Sequence, residues 1–151
     1  VTLGNGGVPY IYFIKKDGYY YYFGSEGTCC VGVNSTYQVV VARSKEVTGP
    51  YVDDKGNVMA NNRAVGKVVL FASKSDRPDV VGPGHCSIFQ DDAGDYWMVY
   101  HAYVRDDTYA TRHLMMDKIL WDEKGWPYIH GNKKFQASYQ EELPAPRFIE
   151  E

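Results

Sequence analysis

Leucine is scarce, with five in 151 residues, and no run of about 20 apolar residues occurs, so neither a leucine-packed helical bundle nor a membrane-spanning helix is expected. Basic charge is not in excess either. Sixteen Lys and Arg stand against 19 Asp and Glu, for a net charge of −3 and a pI near 5.8. Nucleic-acid binding leaves a basic patch, and none is visible, so nucleic acid is excluded as a partner, as is the membrane. The three cysteines, Cys29, Cys30 and Cys86, have no zinc spacing and no even count, so they define no disulfide framework. Adjacent Cys29 and Cys30 admit a strained vicinal disulfide or two small buried thiols, and packing as thiols is the expectation. The first residues also lack the basic-then-apolar pattern of a secretory signal.

What the chain does contain is 14 tyrosines and 15 glycines within a composition that is 44% hydrophobic and 15% aromatic. That is enough apolar material for a core, and its kind suits pleated strands and tight turns, so an all-β fold is expected. Strands are expected at Tyr10 to Lys16 and Tyr19 to Ser25 about an Asp17-Gly18 hairpin turn, then at Tyr37 to Ser44 and Lys67 to Ala72. A second set follows: Cys86 to Gln90, Tyr96 to Tyr103, Leu114 to Trp121 and Trp126-Pro127-Tyr128. Gly18 to Gly94 spans 76 residues, and Gly49-Pro50-Tyr51 to Trp126-Pro127-Tyr128 spans 77, which reads as one internal repeat. Four strands per repeat without helical periodicity describe a blade of a β-propeller. The reading divides the chain into residues 1–8 as a leader, 9–79 and 80–135 as blade-like repeats, and 136–151 as a tail.

The run PYIYFIKKDGYYYYF, followed by GTCCVGVNSTYQVVVARS, GPGHCSIF, YWMVYHAY and LMMDKILWDEKGWPY, resembles the family 43 glycoside hydrolases, specifically the arabinan endo-1,5-α-L-arabinanases. The resemblance covers roughly residues 9 to 130 and implies about two blades of a five-bladed β-propeller. It implies hydrolysis of α-1,5-linked arabinofuranose chains with inversion, in which one carboxylic acid protonates the leaving oxygen and one carboxylate activates water. Arabinan or arabino-oligosaccharides are then the partners, with missing blades or further copies of the chain closing the ring, and the location is secreted or periplasmic.

By the same resemblance the family's general acid, two residues before the proline of the PYI strand, falls at Gly7, which carries no titratable group. No catalytic residue is therefore assigned, and the chain alone is expected to be weakly active or inactive. A non-catalytic carbohydrate-binding or scaffold module is the alternative. Glu26, Asp53, Asp54, Asp91, Asp92, Asp106 and Asp107 read as solvated turn carboxylates, whereas Asp117 interrupts an apolar strand and is expected to hydrogen-bond structurally. His85 aligns with the histidine that reaches the family's axial cation, named as calcium; an imidazole among oxygen-seeking sites leaves most of the coordination to water. Asn34, Ser35 and Thr36, and Arg112, align with residues facing the sugar, although turn chemistry and a surface arginine account for them equally well. His101 is expected to be buried and hydrogen-bonded, and His113 and His130 to be loop or surface residues. Most of Tyr19 to Tyr22 and the tryptophans are expected in the core rather than on a sugar platform.

Overall fold

The computed structural model describes residues 10–59, 66–70, 80–104, 111–129 and 145–149. Two four-stranded antiparallel sheets stand side by side, each a blade that meanders outward in chain order. The first holds β1 (Ile11–Lys16), β2 (Tyr19–Glu26), β3 (Gln38–Ser44) and β4 (Lys67–Leu70). The second holds β5 (Val80–Gln90), β6 (Tyr96–Val104), β7 (Arg112–Trp121) and β8 (Pro127–Ile129). The hairpin expected at Asp17-Gly18 forms with Lys16 opposite Tyr19, and both turn residues take positive φ, 49° and 79°, as the favoured two-residue hairpin turn requires.

Alternation sorts the tyrosine ladder. Tyr21 and Phe23, with Val39 and Val41 of β3, face the second blade and pack on Ile88, Met98, Tyr100 and Ile119. Tyr22, Val40 and Ala42 point the other way, onto Tyr51 and Met59. Both faces of β2 and β3 are thus buried, which is why these strands read as unbroken apolar runs rather than as an in-out pattern. Tyr21, Tyr22, Trp97 and Trp126 are buried, and Tyr19, Tyr20 and Trp121 are partly so, as expected of core aromatics.

An arginine clips the blades together. Arg43 of β3 lies between the rings of Tyr19 and Trp126, 4.4 and 4.2 Å from their centroids, and donates to the Lys124 carbonyl at 2.7 Å. Tyr21 Oη donates to the neighbouring Gly125 carbonyl at 2.7 Å. A flat guanidinium can stack on two rings while spending its edge on a carbonyl, and a lysine cannot do both.

Two expectations about turns need correction. Asp53 and Asp91 are not solvated; they are 6% and 5% exposed and organise matching turns. In each, the carboxylate accepts from backbone N–H groups two and four residues on, at 2.9 to 3.0 Å, and Asp122 repeats the pattern. Asp91 also accepts from Trp97 Nε1 at 2.9 Å and from Arg147 N at 3.1 Å, which ties residues 145–149 to the β5–β6 turn. The second repeat landmark also fails: Gly49-Pro50-Tyr51 lies in the excursion between β3 and β4, whereas Pro127 and Tyr128 lie within β8. The link from the third to the fourth strand is longer in the first blade, and Val52 makes an isolated bridge to Arg43 along it, so the two motifs do not fall on matching strands.

Burial alone would raise the Asp53 and Asp91 carboxyls, yet the hydrogen bonds they accept outweigh it and hold both below the usual carboxylate value. A depressed folded pKa gives stability that is present above the unfolded value, about 3.9, and lost as pH falls through the folded one. The thermal midpoint is therefore expected to fall between about pH 4 and 2. Asp53→Asn and Asp91→Asn should each lower the midpoint at neutral pH and flatten that acid slope, measured by circular dichroism.

Candidate functional site

The register places the starts of β1, β3, β5 and β7 and the ends of β2 and β6 at one end of the two blades. Tyr10, the 27–37 loop, the 82–85 segment, His101 and Arg112 gather there. The loop from β2 to β3 is held by its own bonds: Thr36 N donates to Thr28 O and Thr28 N to Thr36 Oγ1, both at 3.0 Å. A short 3₁₀ turn, Gly32–Asn34, completes it. Ser35 is buried and accepts from Val31 N at 3.2 Å, so the Asn34-Ser35-Thr36 triplet divides, with Asn34 and Thr36 exposed and Ser35 holding the loop.

The loop lies directly on the backbone of β5. A Cβ added at Gly82 would come within 2.5 Å of Ser35 Cβ, and one at Gly84 within 2.2 Å of the Tyr37 ring. The Gly-Pro-Gly run is therefore not a breaker before a strand. It is the first part of β5, stripped of side chains where the loop docks, and two register shifts mark it as bulged. Beyond it His85 takes φ 55°, uncommon for a residue with a Cβ. His85 N donates to the buried Ser25 Oγ at 2.7 Å, and the ring stacks on Tyr10, centroids 3.5 Å apart. The imidazole itself is exposed at the cleft end.

Next to His85 stands His101, 5.9 Å away ring to ring, and Tyr37 lies at the same distance from His101. His101 departs from expectation: it is half-buried, and its buried Nδ1 has no hydrogen-bond partner. Burial, followed by the charges of Arg112 and His85, holds its pKa below the ordinary histidine value, so it is neutral at pH 7. His113 lies within β7 and is half-buried rather than in a loop, and His130 lies outside the described residues.

Arg112 opens β7 with its side chain exposed and Nη1 3.9 Å from Cys30 Sγ. Cys30 is not a thiol. It is bonded to Cys29, against the expectation of two buried thiols; Cys29 is half-buried and Cys30 exposed at φ 71°. The pair sits in a loop at the surface rather than in a core, and there packing gives no reason to keep free thiols. Cys86 alone remains a free buried thiol, and burial pushes its pKa up to about 12.

Among the described residues the carboxylates lie elsewhere or are engaged. Glu26 accepts from Gln38 Nε2 at 2.6 Å, Asp117 is buried and accepts from Tyr100 Oη at 2.5 Å, and Asp92 accepts from Ile149 N at 2.6 Å. Asp54 is exposed in the turn at the far end. Gly7, Asp106 and Asp107 lie outside the described residues. Among the described residues no group of three or more His, Cys, Asp or Glu could hold a metal ion. His85 supplies one nitrogen and its neighbours no carboxylate, a donor set that does not make a calcium cage within these residues. A shallow cavity of about 630 Å³ lies at the opposite end, lined by Tyr19, Arg43, Lys45, Lys124 and Trp126 among others, and is separate from this cleft.

Two adjoining four-stranded blades, with a polar loop cluster at the end where the innermost strands begin, define part of a β-propeller whose end carries the site. The chain belongs to the glycosyl hydrolases family 43, whose model matches residues 9–127. It is 39% identical over 126 residues to the extracellular exo-α-(1→5)-L-arabinofuranosidase ArbA of Cellvibrio japonicus, covering 83% of this chain and 34% of that protein. It is 37% identical over 112 residues to the extracellular endo-α-(1→5)-L-arabinanase 1 of Bacillus subtilis, covering 74% of this chain and 31% of that protein. The chain thus spans about a third of the length of these relatives. The solved Cellvibrio cellulosa α-L-arabinanase complexed with arabinohexaose superimposes with a TM-score of 0.71 at 36% identity, over 84% of this chain and 39% of that one. That share is close to two-fifths, as two blades of a five-bladed propeller require.

Proposed function

We propose that the chain is the C-terminal portion of a secreted glycoside hydrolase that cleaves α-1,5-linked L-arabinofuranose chains with inversion, and that these two blades supply sugar-binding wall rather than the acid and base. The observation that carries this reading is a polar cleft end that shows, among the described residues, no free carboxylate pair. Asn34, Thr36 and Arg112 are exposed there, while Glu26, Asp53, Asp91, Asp92 and Asp117 accept hydrogen bonds. Amides, hydroxyls and a guanidinium fork suit vicinal hydroxyls, and inverting hydrolysis needs two carboxyl groups about 6.5–9.5 Å apart with water between them. His85 and His101 play no proton-transfer role in this scheme. Among the described residues His85 is the donor that would face an axial cation such as calcium, with water completing the shell, and no step depends on it.

The engaged carboxylates equally favour a second reading, a carbohydrate-binding module without catalysis. The two part on the reading frame upstream of Val1, which in the first case encodes the earlier blades with the carboxylate that activates water. Both place Arg112 on the sugar. Calorimetry with an α-1,5-arabino-oligosaccharide is expected to give saturable binding, and Arg112→Ala is expected to weaken it about tenfold, the loss of one charge-assisted hydrogen bond. Arg112→Ala binding as tightly as the wild type would remove Arg112 from the site.

A further inference from the structure

The Cys29–Cys30 disulfide is the one chemically unusual group at the cleft end that the functional reading leaves without a role. It is exposed through Cys30, it abuts Arg112, and it is followed by Val31, whose apolar side chain is 49% exposed. A pentose ring is amphiphilic, with hydroxyls at its rim and C–H groups on its faces, so a sugar site pairs directional polar groups with an apolar surface. That surface is usually aromatic. Here the aromatic candidates among the described residues are used otherwise: Tyr10 is stacked on His85, Tyr37 is buried, and Tyr19 and Trp126 lie at the opposite end. What the described residues leave beside Arg112 is the Cys30 sulfur, with Val31 next in the chain.

We propose that the vicinal disulfide is itself a sugar-contacting surface: Cys29, Cys30 and Val31 form an apolar wall for the C–H face of one arabinofuranose ring, while Arg112 takes that ring's hydroxyls. Sulfur is polarizable and makes favourable contacts with C–H groups, and two bonded sulfurs offer a flat edge that two mobile thiols do not. The wall is rigid because its loop is fixed on both sides. Val31 N is tied to Ser35 Oγ, and Ser35 rests on Gly82. The guanidinium stands beside Cys30, so apolar and polar contacts to one ring come from adjacent groups.

This inference rests on the arabinan reading, and the test separates them. Wild-type chain and the double variant Cys29→Ser, Cys30→Ser are titrated with an α-1,5-arabino-oligosaccharide by calorimetry. Wild type is also titrated after reduction by dithiothreitol, in which two electrons and two protons convert the disulfide to two thiols and the reagent closes to its own disulfide. The expected result is tenfold or greater weakening in both the variant and the reduced protein, with affinity restored on reoxidation. Transferred nuclear Overhauser contacts are expected from the Cys29 and Cys30 Hβ protons to ring C–H protons of the sugar, which a merely structural disulfide would not give. Undiminished affinity without the disulfide, or sugar contacts to Arg112 but none to the cysteines, overturns the proposal and leaves the arabinan reading standing. Absence of any binding by oxidised wild type overturns both.

Discussion

Gly84→Ala is expected to lower stability by about 3 kcal/mol, at the upper end of ordinary overpacking, and the thermal midpoint by roughly 6–12 °C. The backbone at Gly84 needs no unusual angle, so the cost comes from contact alone. A methyl group there would stand 2.2 and 2.3 Å from two carbons of the Tyr37 ring. That ring is 2% exposed and packed beside His101, so it has nowhere to move. Either the 27–37 loop lifts from β5 or β5 shifts, and both displace Asn34 and Thr36. Gly56→Ala is the control. Gly56 has φ +85° but no atom within 4 Å of the added methyl group, and only the left-handed conformation is penalised, at about 1 kcal/mol. Thermal unfolding of the two variants compares close approach with backbone conformation; similar midpoints would mean the loop does not rest on β5 as described.

The second large effect concerns chemistry. The 151-residue chain is expected to hydrolyse linear arabinan at least about 10²–10⁴-fold more slowly than an intact family member, the range that a general acid alone contributes. At the position where the resemblance requires that acid the chain has Gly7, and the described carboxylates that could substitute are already hydrogen-bonded. Asp117 illustrates why a buried carboxylate is not thereby a catalyst. It receives the Tyr100 hydroxyl, and its charge, after burial, helps to hold that phenol well above its usual pKa. Reducing-end release from linear arabinan measures the rate. A rate like that of an intact enzyme would require a carboxylate pair that this account does not contain.

Much of the fold was legible because strand periodicity is local. β1, β2, β3, β6 and β7 lie within two residues of where alternating apolar residues and turn signals put them, and the Asp17-Gly18 hairpin forms as its composition dictates. β5 was not fully legible. Gly82-Pro83-Gly84 reads as a break when only neighbours in sequence are considered, and the reason for the glycines is a loop some 50 residues earlier that lies on them. The same holds at Cys29 and Cys30, where nothing within the dipeptide decides between thiols and a disulfide, and exposure beside Arg112 is a property of the fold. The Asp53 and Asp91 turns are legible in the sequence but their burial is not, since each carboxylate also accepts from a backbone N–H outside its own turn, that of Gly66 and of Arg147. For the site, Asn34, Thr36, His85 and Arg112 do converge on one end, and the part of His101 was missed because an unpaired Nδ1 leaves no mark in sequence.

The most direct test of the account is to mix the 151-residue chain with an α-1,5-arabino-oligosaccharide and follow binding heat and cleavage products in the same sample. The account predicts saturable binding and cleavage at least about 10²-fold slower than by an intact arabinanase. Cleavage at the rate of an intact arabinanase, or no binding at all, would contradict it.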